Sequence, residues 1–366
     1  MTPLYYQVII AGAGPAGCAC AIVLNQAGFT VCLVDDPDNK TLKVGESLPG
    51  AAIRLLERLK ISGLEQLVGA GNYKTCVANA SAWGSEQWQY NDAMLNPEGG
   101  GWHLNRAQFD QALRQTAIKQ GVSFVQGKVT ALNKRAIDKQ QVTIETPDKS
   151  QQQLQCEWLV DATGRPSVVS KLNGKNKKRF DHQVAAVAWL KANSADTDNM
   201  TRIKSVNQGW WYSARLPDGK RVIAFFSLSR ETTALAKQPA NFVQACNHSK
   251  ILPNEILQQQ LAGDIKLSDA GVSQLNEVIC DKWLAIGDAA ISFDPLSSQG
   301  IFFALYSGIR GAEAILACKE METGEAAMNT YQQQVDNVFQ ANQKARQYHY
   351  ASEARFSEQT YWQQRF

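Results

Sequence analysis

Three glycines near the N-terminus have the spacing of a turn that holds the phosphates of a dinucleotide. In this pattern Gly12 permits a tight turn, Gly14 lets a pyrophosphate approach the backbone, and Gly17 lets a helix pack closely on a strand. Free N–H groups at the start of the following helix then face the anionic diphosphate. Pro15 and Ala16 lie within the same turn, and we expect them to belong to the nucleotide site.

The residues around this turn have the order that such a site requires. An apolar run at 7–11 predicts a buried parallel strand, residues 18–24 suit a buried helix, and residues 30–35 predict a second strand. Asp35 ends that second strand and is placed to accept hydrogen bonds from ribose hydroxyls, although Asp36 beside it could do the same. This motif alone does not distinguish NAD from FAD.

A second motif near the C-terminus decides between these two cofactors. Residues 283–286 predict a buried strand, and Gly287 with Asp288 turns the chain out of it. An acid at this point can hydrogen-bond a ribityl hydroxyl, a group that FAD has and NAD lacks. Residues 295–300 then lead into an apolar helix whose N-terminus can face the flavin pyrimidine. We therefore expect FAD, with contacts from Asp288, Pro295, Gly300 and Ile301.

The order of these motifs resembles that of the FAD-dependent aromatic hydroxylase superfamily, and within it the tryptophan-halogenase-like branch. Four further segments carry the resemblance, and they are residues 44–49, 101–110, 161–165 and 209–217. Together with the two nucleotide motifs they span most of the chain. The resemblance implies additional flavin contacts from Glu46, Ser47, Arg106, Val129, Asp161 and Gly164.

Some departures from the halogenase pattern bear on the reaction. Flavin halogenases carry a Trp-x-Trp-x-Ile-Pro signature, but here Tyr212 stands at the second tryptophan and Pro217 is displaced. Ser297 holds the position where tryptophan halogenases have a glutamate, which works with a lysine that directs hypohalous acid. Lys74 lies about where that lysine is expected, but a lone lysine in a polar loop also fits a solvated surface residue. The serine favours oxygen transfer over halogenation.

The favoured interpretation is a monooxygenase. The resemblance implies oxygen transfer from a flavin C4a-hydroperoxide, with O2 as cosubstrate, to an electron-rich aromatic ring. The electron donor is NAD(P)H or a separate flavin reductase. Residues 81–85 and 349–365 are similar to a subgroup that modifies a tryptophan of a partner protein, the precursor of a quinone-dependent oxidase, during tryptophylquinone cofactor biogenesis. A halogenase, a prenyl reductase and a non-catalytic flavoprotein chaperone are the alternatives.

Three side chains are candidates for catalysis. His103 lies in the flavin-proximal segment and has an ordinary pKa suited to proton transfer near neutral pH, but a hydrogen-bonded structural histidine fits equally well. Glu46 is expected to position flavin or substrate, and Lys74 is the third candidate. Tryptophans could wall an aromatic site, with core packing as the alternative for each. They are Trp83, Trp102, Trp210 and Trp211.

The composition argues against several other classes. The formal charge is only +3 over 366 residues, without a long basic face, which argues against a nucleic-acid partner. The eight cysteines are scattered and no pair has metal-ligand spacing, so we expect neither a metal site nor a disulfide framework. No apolar run reaches the roughly 20 residues that span a bilayer, and no signal peptide is recognised. We expect a cytoplasmic protein without a transmembrane segment.

These patterns predict an α/β fold. Its main part is a Rossmann-type FAD-binding domain like that of p-hydroxybenzoate hydroxylase, formed by residues 1–70, 101–180 and 280–330. An antiparallel β-sheet substrate domain is inserted into it and is assigned to residues 71–100 and 181–279. Residues 331–366 form a C-terminal helical tail, which we expect to pack on the body or to form part of a protein-docking surface.

Overall fold

The structure, a computed structural model, describes residues 4–36, 43–92, 99–136, 139–253, 256, 260–320 and 324–365. Its strands, in chain order, are β1 (Leu4–Ala11), β2 (Val31–Asp35), β3 (Ser47–Leu48), β4 (Tyr73–Thr75), β5 (Ala78–Ala82), β6 (Gln89–Asp92), β7 (Trp102–Leu104), β8 (Ser123–Gln126), β9 (Lys128–Ala136), β10 (Lys139–Glu145), β11 (Gln151–Asp161), β12 (Lys177–Arg179), β13 (Gln183–Leu190), β14 (Thr201–Val206), β15 (Gly209–Arg215), β16 (Arg221–Leu228), β17 (Lys266–Asp269), β18 (Ser273–Leu275), β19 (Ile279–Cys280), β20 (Trp283–Ala285) and β21 (Ile291–Ser292). Its α-helices are α1 (Pro15–Gln26), α2 (Ala52–Arg58), α3 (Leu64–Val68), α4 (Arg106–Lys119), α5 (Val168–Leu172), α6 (Ser229–Lys237), α7 (Pro239–Ser249), α8 (Gly300–Glu320), α9 (Gly324–Ala351) and α10 (Thr360–Gln363).

The largest sheet brings both nucleotide motifs to one edge. Its order is β19-β20-β11-β1-β2-β8, and β1 pairs in parallel with β11 and β2. The register sets Ala11 opposite Asp161, and Asp161 opposite Ala285, so the three strands end together. In open parallel sheets a ligand binds outside the carboxyl ends of the strands. Three segments therefore begin side by side at the carboxyl ends of these strands. They are the first glycine turn, the segment after β11 and the late motif.

Helices α1 and α8 lie against each other over this edge. The contact is close because Gly308 of α8 faces the backbone of α1, where a Cβ atom would collide with the carbonyl oxygen of Ala16. The strands and helices of this layer form one apolar core, in which the cysteines of α1 are fully buried. The two helices that follow the nucleotide motifs are thereby fixed relative to one another.

A second sheet of seven strands has the order β17-β13-β16-β15-β14-β5-β6. Its neighbours pair antiparallel, except β14 and β5, which run parallel. Side chains alternate across β15, so Trp210 packs into one apolar cluster and Trp211 into another on the opposite face. The face that carries Trp210 lies toward the FAD-binding layer. Two three-stranded sheets, β3-β7-β4 and β12-β18-β21, complete the strands.

The C-terminal tail packs on the body of the protein. Tyr350, Tyr361 and Trp362 are buried within the cluster that covers the Trp210 face, and Trp83 meets the Trp362 ring edge-on at 5.3 Å between centroids. The tail therefore packs on the body, and its expected part in a docking surface stays a prediction. Phe366, the last residue of the predicted tail, lies outside the described residues.

Among the described residues, one helix is long and apolar enough to cross a membrane by length and composition. It is the 20-residue part of α8 from Gly300 to Lys319, with a mean hydropathy of 1.4, and 56% of its apolar window is buried inside the protein. Core helices pass the same test, and α8 packs on α1 in the main core.

Candidate functional site

The first glycine turn has one side packed and one side open. Gly12 adopts a positive φ of 105°, and a Cβ atom there would collide with the carbonyl oxygen of Ala162. A Cβ atom on Gly17 would collide with the Gly12 carbonyl oxygen. Gly14 has nothing within 4 Å of its Cβ position. The open side therefore lies at Gly14, as a diphosphate that approaches the backbone requires.

The start of α1 leaves its N–H groups for such an anion. Gly14 is the N-cap residue and no side chain caps the helix. Helix N-termini attract negative charge because these N–H groups have no intrahelical partner. Asp35 fixes the adjoining backbone by accepting hydrogen bonds from the N–H groups of Ala13 (3.0 Å) and Asp36 (2.9 Å).

The one-residue ambiguity between Asp35 and Asp36 has a structural answer. Asp35 lines the large cavity outside the sheet edge, whereas Asp36 does not. The Asp36 carboxylate instead accepts a hydrogen bond from Gln126 and pairs with Lys128, and these contacts lower its pKa. Of the two acids, Asp35 is therefore the one that borders this cavity.

Asp161 does not line that cavity, contrary to the expected flavin contact. Its carboxylate is fully buried and accepts hydrogen bonds from the N–H groups of Thr163 (3.0 Å) and Ser170 (2.7 Å). It therefore shapes the turn after β11, and that turn exposes Thr163, Gly164 and Arg165 to the cavity. The Asp161 carboxylate thus influences the cavity only by holding the backbone of this turn in place.

Arg165 joins this turn to the late motif. Its guanidinium donates to the carbonyl oxygens of Gly271 (2.7 Å) and Phe293 (3.0 Å), and its Nε lies 3.6 Å from the Asp288 carboxylate. Lys177 supports the same segment by donating to the carbonyl oxygen of Asp288, and burial lowers its pKa to about 8. Both cations thus hold the backbone around Asp288.

Arg106 forms another wall of the cavity at the N-terminus of α4. It donates to the carbonyl oxygens of Val44 (3.0 Å) and Gly45, and it forms a salt bridge to Asp110 at 3.3 Å. The loop before β3 is thereby tied to α4. Ser47 and Glu46 follow this loop and also line the cavity.

Glu46 is a buried carboxylate at the meeting point of the two layers. It is 4% exposed and accepts a hydrogen bond from the hydroxyl of Tyr212, which lies 2.9 Å from Ser47 Oγ. Burial raises the pKa of Glu46, and the Tyr212 hydrogen bond opposes that rise only in part. The arrangement can keep a proton shared between an acid and a phenol beside the cavity.

The main cavity is the space that these elements enclose, with a volume of about 470 Å³. It opens on the sheet edge and is roofed by the apolar face of the second sheet, through side chains such as Val187, Ala224 and Phe226. Predicted cofactor residues on its walls are Gly12, Gly14, Pro15, Ala16, Asp35, Glu46, Ser47, Arg106, Gly164, Asp288, Pro295, Gly300 and Ile301. The open position at Gly14, the uncapped start of α1 and the Asp35 carboxylate on the cavity wall fit FAD.

Four of the predicted contacts lie elsewhere. Gly17 serves helix packing, and Val129 is a buried core residue of β9. Asp36 and Asp161 bond to other parts of the protein, as described above. Several wall residues escaped the sequence prediction, and they are Asp110, Thr163, Arg165, Tyr212, Phe226 and Asp294. Arg165 and Tyr212 lie in segments that the sequence analysis recognised, but the sequence did not show that their side chains face the cavity.

His103 is a structural residue. It is fully buried, and its ring nitrogens lie 2.8 Å from Thr201 Oγ1 and 3.1 Å from the carbonyl oxygen of Arg215. Burial lowers its pKa from 6.5 to about 4. It lines neither cavity described here, so its predicted catalytic role is not supported by its position.

Lys74 is likewise absent from both cavity walls. The small sheet sets it in register with His103, which is paired in turn with Ser47. It therefore lies one strand farther from the main cavity than His103. Its position in β4 therefore does not make Lys74 a wall residue of the main cavity.

The four tryptophans have different surroundings. Trp210 lines the main cavity and stacks on Phe226 at 3.9 Å between ring centroids. Trp211 faces the opposite side of the sheet, against Phe242 of α7. Trp102 packs half-buried on the main core, and Trp83 packs on the tail. Of the four, only Trp210 is placed as a wall.

A second cavity, the inter-helix cavity, lies between the start of α8 and the outer part of α9. Its volume is about 520 Å³, and it shares Asp294, Ser297 and Gln299 with the main cavity. Its other walls are Leu296, Phe302, Phe303, Tyr306, Val338, Ala341, Asn342, Ala345, Arg346 and His349. The turn at 294–299 is therefore the partition between the two spaces.

Charged residues of the tail hold this partition. Arg346 of α9 donates to Asp294 (3.1 Å) and to Asp181 (2.6 Å), and Arg365 also donates to Asp181 (2.8 Å). Asp294 in turn accepts from Tyr350 at 3.0 Å and from the backbone N–H of residue 296. The C-terminal helix thus fixes a turn that borders both cavities.

Among the described residues, no group of three or more His, Cys, Asp or Glu side chains is arranged to hold a metal ion. The eight cysteines are free thiols. Burial raises the pKa of those in the central layer, including Cys156 to about 12, so they stay protonated near neutral pH. They act as small core residues.

The fold and the main cavity define an FAD-dependent oxidoreductase. An FAD-binding domain matches residues 7–48, which confirms the predicted cofactor, and a tryptophan halogenase family matches residues 61–365. The chain belongs to this tryptophan halogenase family. The predicted superfamily and fold class are confirmed with it.

Two relatives show how the family extends over the chain. LodB of Marinomonas mediterranea, described as a putative FAD-dependent oxidoreductase, is 26% identical over a match of 366 positions, gaps included. The match covers 98% of this chain and 96% of LodB. A 1H-pyrrole-2-carbonyl-(peptidyl-carrier protein) brominase of Pseudoalteromonas luteoviolacea is 28% identical over 323 residues, with 85% of this chain and 77% of that protein covered. The similarity thus includes the tail.

Solved structures share the fold. The myxobacterial chondrochloren halogenase CndH superimposes with a TM-score of 0.88 at 18% identity, over 99% of this chain and 86% of that one. The peptidyl tryptophan dihydroxylase QhpG superimposes with a TM-score of 0.77 at 23% identity, over 99% and 78%. A halogenase and a dihydroxylase therefore use the same architecture, so the fold does not select the reaction.

Proposed function

We propose that this protein is an FAD-dependent monooxygenase that hydroxylates an electron-rich aromatic ring, and that the ring is a tryptophan side chain of a partner protein. The observation that carries the proposal is the partition between the cavities. Ser297 stands there at the position where tryptophan halogenases have a glutamate, and its hydroxyl donates to the carbonyl oxygen of Asp294 at 2.9 Å. No lysine of the described chain lines either cavity. Directing hypohalous acid needs a lysine in the path between flavin and substrate.

Bound FAD, once reduced, supplies the activation of O2 for this chemistry. The residues of the chain bind it, orient it and keep water away. Gly14 and the start of α1 would hold the diphosphate, and the Asp35 carboxylate would accept hydrogen bonds from the ribose. The apolar sheet face with Val187, Ala224 and Phe226 covers the cavity, which limits the access of water to the reacting atoms.

Glu46 and Tyr212 are the groups placed to hold a proton. Their hydrogen bond lies on the wall of the main cavity, where Glu46 is buried and Tyr212 is half-buried. The raised pKa of Glu46 favours its neutral form at a higher pH than that of a solvated carboxyl. We assign the pair to orienting the flavin and to retaining a proton beside it.

The partner-protein part of the proposal is supported by a contact between two distant segments. Residues 81–85 and 349–356, which resemble the subgroup that modifies protein tryptophans, touch each other in the fold. Trp83 donates its indole N–H to the carbonyl oxygen of His349 (2.7 Å), and the Gly84 N–H donates to Glu353 (2.7 Å). A Cβ atom on Gly84 would crowd the carbonyl oxygen of Ser352. The two segments therefore behave as one structural unit next to the inter-helix cavity.

The test is mass spectrometry of a candidate precursor, expressed with and without this protein. Addition of oxygen at one tryptophan, only in the presence of the protein, is the expected result. A Gly14→Leu variant, which blocks the cofactor turn, serves as control and should leave the tryptophan unmodified. An unmodified tryptophan with the active protein, or modification with the control, contradicts the proposal.

Halogenation is the second candidate, and specific observations favour it. The family to which the chain belongs and the brominase of P. luteoviolacea both carry that activity in their names. Including bromide in the assay separates the two reactions, since a halogenase adds bromine to the ring. Prenyl reduction has less support, because the inter-helix cavity is bordered by Asn342, Arg346 and His349 and is no purely apolar tunnel.

A further inference from the structure

The inter-helix cavity has the size and the walls of a site for an aromatic ring. Phe302 and Tyr306, one turn apart on α8, form one side, and Val338 of α9 forms the other. Ligand pockets in proteins are mostly apolar, with a few polar groups that fix the orientation of the ligand. The cavity borders the main cavity at Ser297 and Gln299. A ring bound here lies next to the partition that faces the flavin site.

Most polar side chains around this cavity already have partners. Arg346 is bonded to two carboxylates, and Asp294 accepts hydrogen bonds from the tail and from its own turn. The ring of Tyr306 has the guanidinium of Arg310 above it, 5.5 Å from the centroid. These groups have no need of a ligand.

Asn342 differs from the other polar residues of this cavity because its unpaired atom is buried. It lines the cavity and is only 8% exposed, and its Oδ1 atom is buried without a hydrogen-bond partner in the described part of the chain. Buried polar atoms in folded proteins are nearly always paired, so an unpaired one needs an explanation. The terminal torsion of an asparagine is broad and roughly two-fold. A half-turn about this torsion exchanges the positions of the amide oxygen and nitrogen, and the proposal below requires the orientation in which the oxygen faces the cavity.

The reaction proposed above limits which rings can bind here. A ring that reacts with electrophilic oxygen is activated by a nitrogen or oxygen lone pair, as in indole, pyrrole or phenol. In each of these rings the activating atom also carries a hydrogen, so the ring has an N–H or O–H donor. An amide oxygen is the matching acceptor.

We propose that Asn342 recognises the ring: its side-chain oxygen accepts a hydrogen bond from the N–H or O–H group of a ring bound in the inter-helix cavity. This inference rests on the proposed oxidation of an electron-rich ring and adds the recognition of its donor group. The substrate class is then an indole, pyrrole or phenol with a free donor. A ring of the same shape whose donor is replaced by an ether oxygen is discriminated against.

The test compares indole with benzofuran, which has the same bicyclic shape but no donor. Their dissociation constants for the FAD-loaded protein are measured by titration calorimetry, without turnover. We expect indole to bind about tenfold more tightly, which corresponds to about 1.4 kcal/mol. Asn342→Leu should remove this preference while leaving benzofuran affinity within about twofold. The matched control, Asn247→Leu on α7, should keep it, because Asn247 lies outside the cavity.

A blocking variant tests the place itself. Ala341→Trp on α9 adds a large side chain to the cavity wall and should abolish binding of both probes, with the FAD content unchanged. Equal binding of indole and benzofuran by the unaltered protein, or a preference that survives in Asn342→Leu, overturns the inference. So does ring binding that is unaffected by Ala341→Trp.

These binding results are separable from the reaction. If Asn342 selects indole but the product gains bromine, the proposed monooxygenase function fails and the ring-binding subsite stands. If indole gains oxygen while the Asn342 and Ala341 variants bind both probes as the unaltered protein does, the function stands and the subsite fails.

Discussion

The buried imidazole of His103 makes the stability of the protein depend on pH in a calculable way. Burial is the main cause that lowers its pKa from 6.5 to about 4, and the nearby Arg221 guanidinium adds to it. Between these two pH values the unfolded chain binds a proton at His103 and the folded chain does not. The stability that the neutral ring contributes is therefore complete above pH 6.5 and is lost as the pH falls.

The size of this loss follows from the pKa difference. Each pH unit in the interval lowers the free energy of unfolding by about 1.4 kcal/mol, so the whole interval amounts to about 3 kcal/mol. Between pH 7 and pH 5 the expected share is about 2 kcal/mol. Hydrogen bonds to Thr201 Oγ1 and to the Arg215 carbonyl oxygen hold the ring in place. Neither of these two partner groups gains or loses a proton in this pH range.

Urea unfolding of the unaltered protein and of His103→Gln, each at pH 7 and pH 5, measures the effect. The variant is less stable at pH 7 because its amide fits the site poorly, but it should lose about 2 kcal/mol less on going to pH 5. His248→Gln, at an exposed position of α7, is the control and should follow the unaltered protein. Parallel pH dependence of the unaltered protein and His103→Gln would refute the reasoning.

Three further predictions concern the cofactor turn, the tail and the buried acid. Gly14→Leu should lower FAD affinity at least about tenfold while the fold is retained, because the Cβ position is open to the cavity; flavin absorbance after gel filtration measures it, and unchanged flavin content contradicts it. Arg346→Met removes one ion-pair partner from Asp181 and one from Asp294, and should lower the free energy of unfolding, measured in urea, by about 3 kcal/mol. A loss below about 1 kcal/mol contradicts the role given to Arg346. The folded state raises the pKa of Glu46, so this carboxyl contributes stability at low pH that is lost as the pH rises. The stability of Glu46→Gln relative to the unaltered protein should therefore increase with rising pH. A difference in melting temperature that stays constant from pH 4 to pH 8 would count against this prediction.

The nucleotide motifs could be predicted because short-range spacing determines their geometry. The tight turn at Gly12 and the strand that ends at Asp35 depend on residues within one βαβ unit, and parallel pairing brings the late motif to the same edge. Composition and spacing fix such local features before the chain is packed. The two motifs that border the main cavity could therefore be recognised in the sequence.

Residues whose role depends on packing between distant segments were not predictable. His103 and Asp161 have the types expected of functional residues, but the folded chain surrounds them and uses their hydrogen bonds internally. The Arg346–Asp294 contact joins residues 52 positions apart, and Asn342 becomes notable only because its amide is left unpaired. Such properties arise from tertiary burial, which no local pattern records.

The central claim is that the flavin of this protein delivers oxygen to an aromatic ring. The most direct test is one reaction with FAD, NADH, a flavin reductase, isotopically heavy O2, bromide and a tryptophan-containing peptide, followed by mass spectrometry of the peptide. The account predicts that the tryptophan gains one heavy oxygen atom and no bromine. A brominated tryptophan without heavy oxygen would contradict it.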